Sequence, residues 1–238
     1  MTWDDTHARW WLEELAGDPS YERDVDPLLR SLVPSASDGT LLDVGCGEGR
    51  SLGRFGTSVG VDLLPSLARI ASAHGPVVIA DASLGLPFRN EAFAGAYAVL
   101  VLEHLIYPFR LVGEMARVVR PGGWCVVVHN HPVMTAPESG PVIDTTDGEV
   151  LWRWGGYLGG GHTDEPAGTG TVRFHHRTVG ALLTGFARQE WALEEFVETP
   201  LGEMEDPLFY AQRHVPRLFG ARWRRTDSIG RGDGVGLR

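Results

Sequence analysis

The sequence predicts an α/β fold in which a parallel sheet carries helices on both faces. Short apolar segments alternate with amphipathic segments over residues 40–129, at the spacing of strands joined by helical crossovers. The length of 238 residues suits one domain with a sizeable core. Right-handed crossovers leave few topologies for such a chain, so we predict a doubly wound sheet.

A helical cap is predicted before the alternating region, over residues 1–36. Residues 2–32 carry two short apolar helix faces, separated by the turn-forming residues 17–19. One face includes Trp10 and Trp11, and the other includes Leu28, Leu29 and Leu32. A turn over residues 34–39 leads into the first strand.

The alternating region contains five predicted strands and three predicted helices. The strands are placed at residues 40–44, 58–62, 76–80, 96–101 and 124–129. The helices are placed at residues 48–55, 65–74 and 109–119. Pro65 supports the start of the second helix, because proline is favoured in the first helical turn.

The pattern becomes irregular after the fifth strand. Residues 130–172 are rich in Gly, Pro and Thr and predict a lid or substrate-binding insertion. A helix over 176–186 and strands over 188–197 and 208–213 complete a single domain of residues 1–221. Residues 222–238 are rich in Arg and Gly and predict a flexible tail.

The composition excludes several kinds of chemistry. The formal net charge of -10 argues against a duplex nucleic-acid binder, although a locally basic groove stays possible. The chain has no lysine, which excludes a Schiff-base lysine and a phosphate-loop lysine. Its two cysteines suggest neither a disulfide framework nor a zinc site.

The chain shows no pattern that directs it to a membrane or out of the cell. Residues 1–11 lack the features of a signal peptide, and no apolar run approaches the roughly 20 residues that span a bilayer. We therefore expect a cytoplasmic protein without a membrane partner. The sequence does not indicate an oligomeric state.

A glycine-rich turn follows the first predicted strand. Gly45, Gly47 and Gly49 allow a tight turn and a close approach of a ligand to the backbone. A dinucleotide fingerprint starting at Gly45 needs a third glycine where this chain has Arg50. The order is instead G-x-G-x-G, preceded by Asp43.

Two further acids follow the next strands. Asp62 ends the second strand, where a carboxylate can accept hydrogen bonds from two ribose hydroxyls. Asp81 ends the third strand and is followed by Ala82, and its carboxylate can accept from an adenine amino group. Together with Gly45, these positions predict one nucleoside-like ligand at the carboxyl edge of the sheet.

These motifs resemble those of the class I S-adenosylmethionine-dependent methyltransferases that act mostly on small molecules. The resemblance covers residues 40–129 and also includes the segments 86–105 and 114–123. It implies a Rossmann-like, mostly parallel seven-stranded sheet whose last strand is antiparallel.

The resemblance also implies a cofactor site for S-adenosylmethionine. Trp10 and Trp11 either close over this cofactor or pack as ordinary helix residues. The implied cofactor-binding residues are Asp43, Gly45, Cys46, Gly47, Asp62, Leu63, Asp81, Ala82 and Leu100.

Three histidines are the candidate catalytic residues. His104 follows the fourth strand and could act as a general base, or could simply pack and hydrogen-bond at a helix start. His129 and His131 follow the fifth strand and point the same way, so one of them could line the substrate pocket. A third ligand is not evident, and we predict no metal.

Methyl transfer to the oxygen or nitrogen of a small-molecule acceptor is therefore the expected function. One alternative is an RNA or protein methyltransferase, and another is a protein that binds the cofactor without transferring the methyl group. A nicotinamide-dependent oxidoreductase would share the sheet, but Arg50 argues against it.

Overall fold

The computed structural model describes residues 3–35, 38–200 and 214–226. The strands in chain order are β1 Leu41–Val44, β2 Ser58–Asp62, β3 Val77–Ile79, β4 Phe93–Val99, β5 Val119–Asn130, β6 Gly140–Ile143, β7 Val150–Arg153, β8 Gly161–Ala167, β9 Gly170–His176, β10 Trp191–Thr199 and β11 Leu218–Arg225. The α-helices are α1 Asp5–Gly17, α2 Asp26–Leu32, α3 Pro65–Ala71, α4 Pro108–Val118, α5 Pro132–Thr135 and α6 Val179–Ala187.

Seven strands form one sheet in the order β10-β11-β5-β4-β1-β2-β3. The neighbours from β5 to β3 are parallel, whereas β11 is antiparallel to both β5 and β10. The mostly parallel, doubly wound seven-stranded sheet is therefore confirmed, including its antiparallel last strand. The order places β1 and β4 at the centre, where the chain reverses direction across the sheet.

Helices cover the sheet on both faces. On one face the leucines of α2 pack against Tyr97, Trp124 and neighbouring valines of β5. On the other face α4 and α6 bury apolar side chains that include Met115 and Phe186. Trp223 of β11 stacks on Phe186 with ring centroids 4.0 Å apart. Each helix in the described ranges is too short or too polar to span a bilayer.

The predicted helix over residues 48–55 is wrong, because this segment forms consecutive turns. Gly49 and Gly53 have φ values of +90° and +79°, which a right-handed helix cannot contain. The Gly53 N–H donates instead to Ser58 Oγ at 2.8 Å. The fourth strand also ends earlier than predicted, at Val99 rather than at residue 101.

The insertion after β5 is more regular than predicted. Residues 130–172 contain α5, the antiparallel pair β6–β7, and strand β8 with the first three residues of its antiparallel partner β9. The helix predicted over residues 176–186 begins later, because His176 is the last residue of β9. Helix α6 begins at Val179 because the Thr178 side chain caps it by accepting from Ala181 N at 3.1 Å.

The end of the sheet differs from the prediction. The strand predicted over residues 208–213 lies outside the described residues, and the observed seventh strand is β11. The prediction of a flexible tail starting at Arg222 is wrong. Arg222 and Arg224 belong to β11, and both form ion pairs with Glu194 of β10. Residues 227–238 lie outside the described residues.

Candidate functional site

The central strands end at a cleft of about 1040 Å³, part of which is open to solvent. It lies at the carboxyl edge of the parallel strands, where doubly wound folds bind ligands. Eight of the nine predicted cofactor residues line it, namely Gly45, Cys46, Gly47, Asp62, Leu63, Asp81, Ala82 and Leu100.

The glycine turn forms a cradle in this cleft. Gly45 and Gly47 have φ values of +68° and +55°, in the region that favours glycine. A Cβ on Gly45 would lie 2.6 Å from Val101 Cγ2, whereas a Cβ on Gly47 would meet nothing closer than Trp11 Nε1 at 3.8 Å. A side chain at Gly47 would therefore occupy ligand space, while one at Gly45 would displace a wall of the cleft.

Gly45→Ala is expected to weaken binding of S-adenosylhomocysteine at least tenfold, measured by calorimetric titration. The left-handed backbone costs alanine about 1–2 kcal/mol, and the new methyl group also displaces Val101. Gly56→Ala is the matched control, because Gly56 also has a positive φ, +122°, but has no atom within 4 Å of its Cβ position. Equal losses of affinity in the two variants would contradict the role of the Gly45 cradle.

Asp62 is fixed at the wall of the cleft by the backbone. Its Oδ2 accepts from Gly47 N and its Oδ1 from Leu64 N, both at 2.8 Å. The residue is 9% exposed, and burial raises the pKa of its carboxyl, while these two N–H donors act in the opposite direction. Each carboxylate oxygen keeps a further lone pair, which fits the two hydroxyls of a ribose.

Asp81 lies on the same wall as Asp62. Its Oδ1 accepts from Ser83 N at 2.9 Å and from Ser83 Oγ at 2.6 Å. These bonds close a turn that also brings Ala82 to the cleft. The Asp81 carboxylate is thus held at the position predicted for the adenine side of the ligand.

Asp43 is the predicted cofactor residue that does not line the cleft. Its side chain is 1% exposed, and Oδ2 has no hydrogen-bond partner among the described residues. Burial raises the pKa of its carboxyl to about 7, although Ser51 and Tyr97 act to lower it. The structure therefore places Asp43 in the interior, behind the residues that line the cleft.

Asp43→Asn is expected to flatten the pH dependence of stability between about pH 4 and pH 7. The folded state holds the Asp43 proton up to about pH 7, whereas the unfolded chain releases it near its ordinary value of 3.8. Wild-type stability therefore falls as the pH rises through this window, by at most about 1.4 kcal/mol per pH unit from this group. Urea unfolding at several pH values measures the slope, and equal slopes for both proteins would contradict the prediction.

The segment after β4 forms the opposite wall. Leu100 has a φ of +55°, which is unusual for a residue with a branched side chain, and its N–H donates to Val128 O at 2.8 Å. Such a conformation persists only where its surroundings hold it, and it is common at ligand sites. It turns the chain so that Leu100, Val101 and His104 all line the cleft.

His104 has the geometry of a neutral base. Its Nδ1 lies 3.0 Å from the carbonyl oxygen of Arg173, which can only accept, so Nδ1 carries the proton and Nε2 keeps a lone pair. Burial lowers the pKa of the imidazole, while Glu103 and the Arg173 carbonyl act against it. The ring packs between Trp3 and Phe174, with centroids at 5.1 and 4.9 Å.

The other two candidate histidines do not reach the cleft. His131 caps α5, because its Nδ1 accepts from Val133 N at 3.1 Å, and its Nε2 lies 2.8 Å from Glu198 Oε1. His129 is buried and stacks on Phe219 at 5.1 Å. The interpretation of His129 and His131 as pocket residues is therefore not supported. Across the described ranges, no group of three or more His, Cys, Asp or Glu side chains could hold a metal ion.

The helical cap contributes cleft residues that the sequence left undecided. Trp11 lines the cleft and its Nε1 donates to Glu48 Oε2 at 2.9 Å, whereas Trp10 does not line it. Trp3 also lines it and was not singled out from the sequence. The adjacent Trp10 and Trp11 indicated that the cap could contact the cofactor. Only the position of α1 against the glycine turn determines which of the two faces the cleft.

Comparisons with known proteins agree with this geometry. Residues 42–127 match a family described as a methyltransferase domain. A tRNA (carboxymethyluridine(34)-5-O)-methyltransferase of Arabidopsis thaliana is 36% identical over 108 residues, covering 43% of this chain and 26% of the relative. A ubiquinone biosynthesis O-methyltransferase of Sodalis glossinidius is 34% identical over 131 residues, covering 49% and 52%. The chain thus spans between a quarter and about half of the length of these curated relatives.

A solved structure of an S-adenosylmethionine-dependent methyltransferase from Mesorhizobium loti is similar over a longer range. Its TM-score is 0.74 at 28% identity, and the match covers 89% of this chain and all of that one. The methyltransferase match includes the glycine turn, both cleft acids and the segment after β4. Residues 42–127 of this chain therefore form a methyltransferase domain of the S-adenosylmethionine-dependent kind, whose cofactor is S-adenosylmethionine.

Proposed function

We propose that this protein transfers the methyl group of S-adenosylmethionine to an oxygen or nitrogen of a small-molecule acceptor. The observation that carries the proposal is the position of His104, a neutral imidazole with a free Nε2 in the cleft that also contains the glycine cradle. S-adenosylmethionine supplies a methyl group already activated on a cationic sulfur. The protein's part is therefore to orient the acceptor, exclude water and take up a proton.

The residues of the cleft divide these tasks. Asp62 and Asp81 would hold the ribose and adenine, and the turn at Gly45 and Gly47 would lie against the methionine part. His104 Nε2 would receive the proton of an acceptor hydroxyl as its oxygen bonds to the methyl carbon, while the bond between that carbon and the sulfur breaks and S-adenosylhomocysteine leaves. Trp3 packs over the His104 ring and would keep water away from the reacting atoms.

The charge around the carboxyl edge favours a small acceptor over a nucleic acid. Residues 138–176 carry six carboxylates and two arginines, and residues 4–17 carry four carboxylates and one arginine. A polyanion needs clustered cations to release its counterions, and these elements carry the opposite charge. RNA is the second candidate acceptor, because relatives are named as tRNA methyltransferases.

The proposal is tested by measuring which class of acceptor receives a labelled methyl group. The protein is incubated with S-adenosylmethionine labelled with tritium in its methyl group, and separately with bulk tRNA, a protein extract and a low-mass metabolite fraction. We expect label in the low-mass fraction and its loss with His104→Gln. Label in tRNA or protein would overturn the acceptor class. No label in any pool, with S-adenosylhomocysteine still binding, would indicate a cofactor-binding protein without transfer.

The cytoplasmic location expected from the sequence stays a prediction. Fractionation of the source cells with an antibody against the protein tests it, and recovery in the extracellular fraction would contradict it.

A further inference from the structure

A buried polar group lies directly beside His104. Glu103 is fully buried in the 3₁₀ turn Leu102–His104. Its Oε1 accepts from the backbone N of Asn130 at 3.2 Å and from the Asn130 side-chain amide at 3.0 Å. Asn130 Oδ1 in turn accepts from Arg217 Nη1. The exit of β4 is thereby tied to the end of β5 and to the segment before β11.

The second carboxylate oxygen of Glu103 faces His129. Glu103 Oε2 is buried, has no hydrogen-bond partner among the described residues and lies 3.7 Å from His129 Nε2. His129 Nδ1 is directed at the Asn130 carbonyl oxygen, which can only accept, so Nδ1 carries a proton. The buried Glu103 Oε2 therefore faces the His129 ring without a hydrogen bond to it.

The Glu103 carboxylate keeps its charge despite this burial. Burial raises the pKa of its carboxyl, but His129 and His104 together with backbone donors outweigh that effect and hold the pKa below its ordinary value. A buried carboxylate is weak evidence for stability, because its desolvation costs free energy. The buried Glu103 carboxylate therefore suggests a role beyond folding, and the neighbouring residue, His104, is the base of the proposed reaction.

We propose that Glu103 is a positioning residue for His104, which fixes the segment after β4 against β5 and stabilises the imidazolium formed when His104 takes a proton. This inference rests on the proposed function for its meaning in catalysis. Glu103 does not touch His104 by a hydrogen bond, since the His104 Nδ1 donates to Arg173 O. Its effect on His104 is the field of a fixed, desolvated negative charge.

The other charged groups near His104 have smaller or opposite effects. Glu165 of β8 also favours the imidazolium, but its side chain is exposed and therefore screened. His129 of β5 disfavours it. The Arg177 guanidinium donates to the carbonyl oxygen of Leu105, next to His104, at 2.6 Å, and as a cation it disfavours the imidazolium. The rings that pack on His104, Trp3 and Phe174, are uncharged. Glu103 is thus the buried anion that acts on this ring.

Titration of His104 by NMR tests the inference without an acceptor. The protein carries ¹³Cε1-labelled histidine and bound S-adenosylhomocysteine, and the His104 signal is assigned by its loss in His104→Asn. In Glu103→Gln we expect the midpoint to move to lower pH by on the order of one unit, since the buried negative charge that favours the imidazolium has gone. Glu165→Gln is the matched control and should move it far less.

Two results would overturn the inference. One is an unchanged His104 midpoint in Glu103→Gln with a wild-type circular dichroism spectrum. The other is a His104 midpoint in Glu103→Asp that is as low as in Glu103→Gln. Asp keeps the negative charge and shortens only the reach to Asn130, so it should preserve most of the wild-type midpoint. This second variant also serves if Glu103→Gln does not fold. Failure of the proposed function would give a different result. In that case His104→Gln would transfer the methyl group fully, while Glu103→Gln would still shift the His104 midpoint.

Discussion

Asp62→Ala is expected to weaken binding of S-adenosylhomocysteine by roughly 100-fold or more. Hydrogen bonds to a charged acceptor contribute about 1.5–3 kcal/mol each, and two ribose hydroxyls would lose such a partner. About 3 kcal/mol corresponds to more than a factor of 100 in Kd. The substitution also releases Gly47 N, which Asp62 holds at 2.8 Å, so the glycine cradle loses its support.

Calorimetric titration of wild type, Asp62→Ala and a control acid variant measures this effect. Asp144→Ala is the control, because Asp144 is an exposed carboxylate on the loop between β6 and β7, and its loss changes the net charge equally. We expect wild-type affinity for the control. Binding by Asp62→Ala within threefold of wild type, with an unchanged circular dichroism spectrum, would remove Asp62 from the cofactor site.

Trp223→Ala is expected to lower the free energy of unfolding by about 3–5 kcal/mol. Trp223 is 2% exposed, stacks on Phe186 and lies on β11 between the two neighbouring strands. Removal of the indole leaves a cavity between α6 and the sheet that the neighbouring side chains can fill only in part. Urea unfolding followed by circular dichroism measures the loss.

Trp154→Ala is the matched control for this prediction. Trp154 is 57% exposed and follows the β6–β7 hairpin, so the same substitution should change stability by about 0.5 kcal/mol or less. A similar small loss in Trp223→Ala would contradict the position of β11 inside the sheet.

The cofactor half of the domain could be predicted because its signals are local. Gly45, Asp62 and Asp81 each lie at or just after the carboxyl end of a short strand, and parallel strands bring their carboxyl ends to one edge. The spacing of these residues therefore determines that they share a cleft. The position of Asp43 could not be predicted in this way. Its side chain points away from the cleft because it packs with Ser51 and Tyr97, which the local sequence does not reveal.

The remaining differences arise from contacts between distant parts of the chain. His129 and His131 lie two residues apart at the end of β5, but Phe219 stacks on the first ring and Glu198 lies 2.8 Å from the second. These partners come about 70–90 residues later in the chain, so the local sequence does not reveal them. The segment 48–55 has an apolar pattern compatible with a helix, but its glycines adopt left-handed conformations. Trp3 reaches the cleft only because α1 packs across it.

The position of β11 also determines the order in which the domain can be completed during synthesis. It is the last of the described strands in chain order but lies between β5 and β10. At elongation rates of about 5–20 residues per second, β5 waits on the order of ten seconds for its partner. During this time the nascent chain presents an unpaired sheet edge, which can pair with other chains. The residues that line the cofactor cleft all lie between positions 3 and 111, so the cleft can form well before that edge closes. Binding of S-adenosylmethionine would then stabilise the nascent chain before its release.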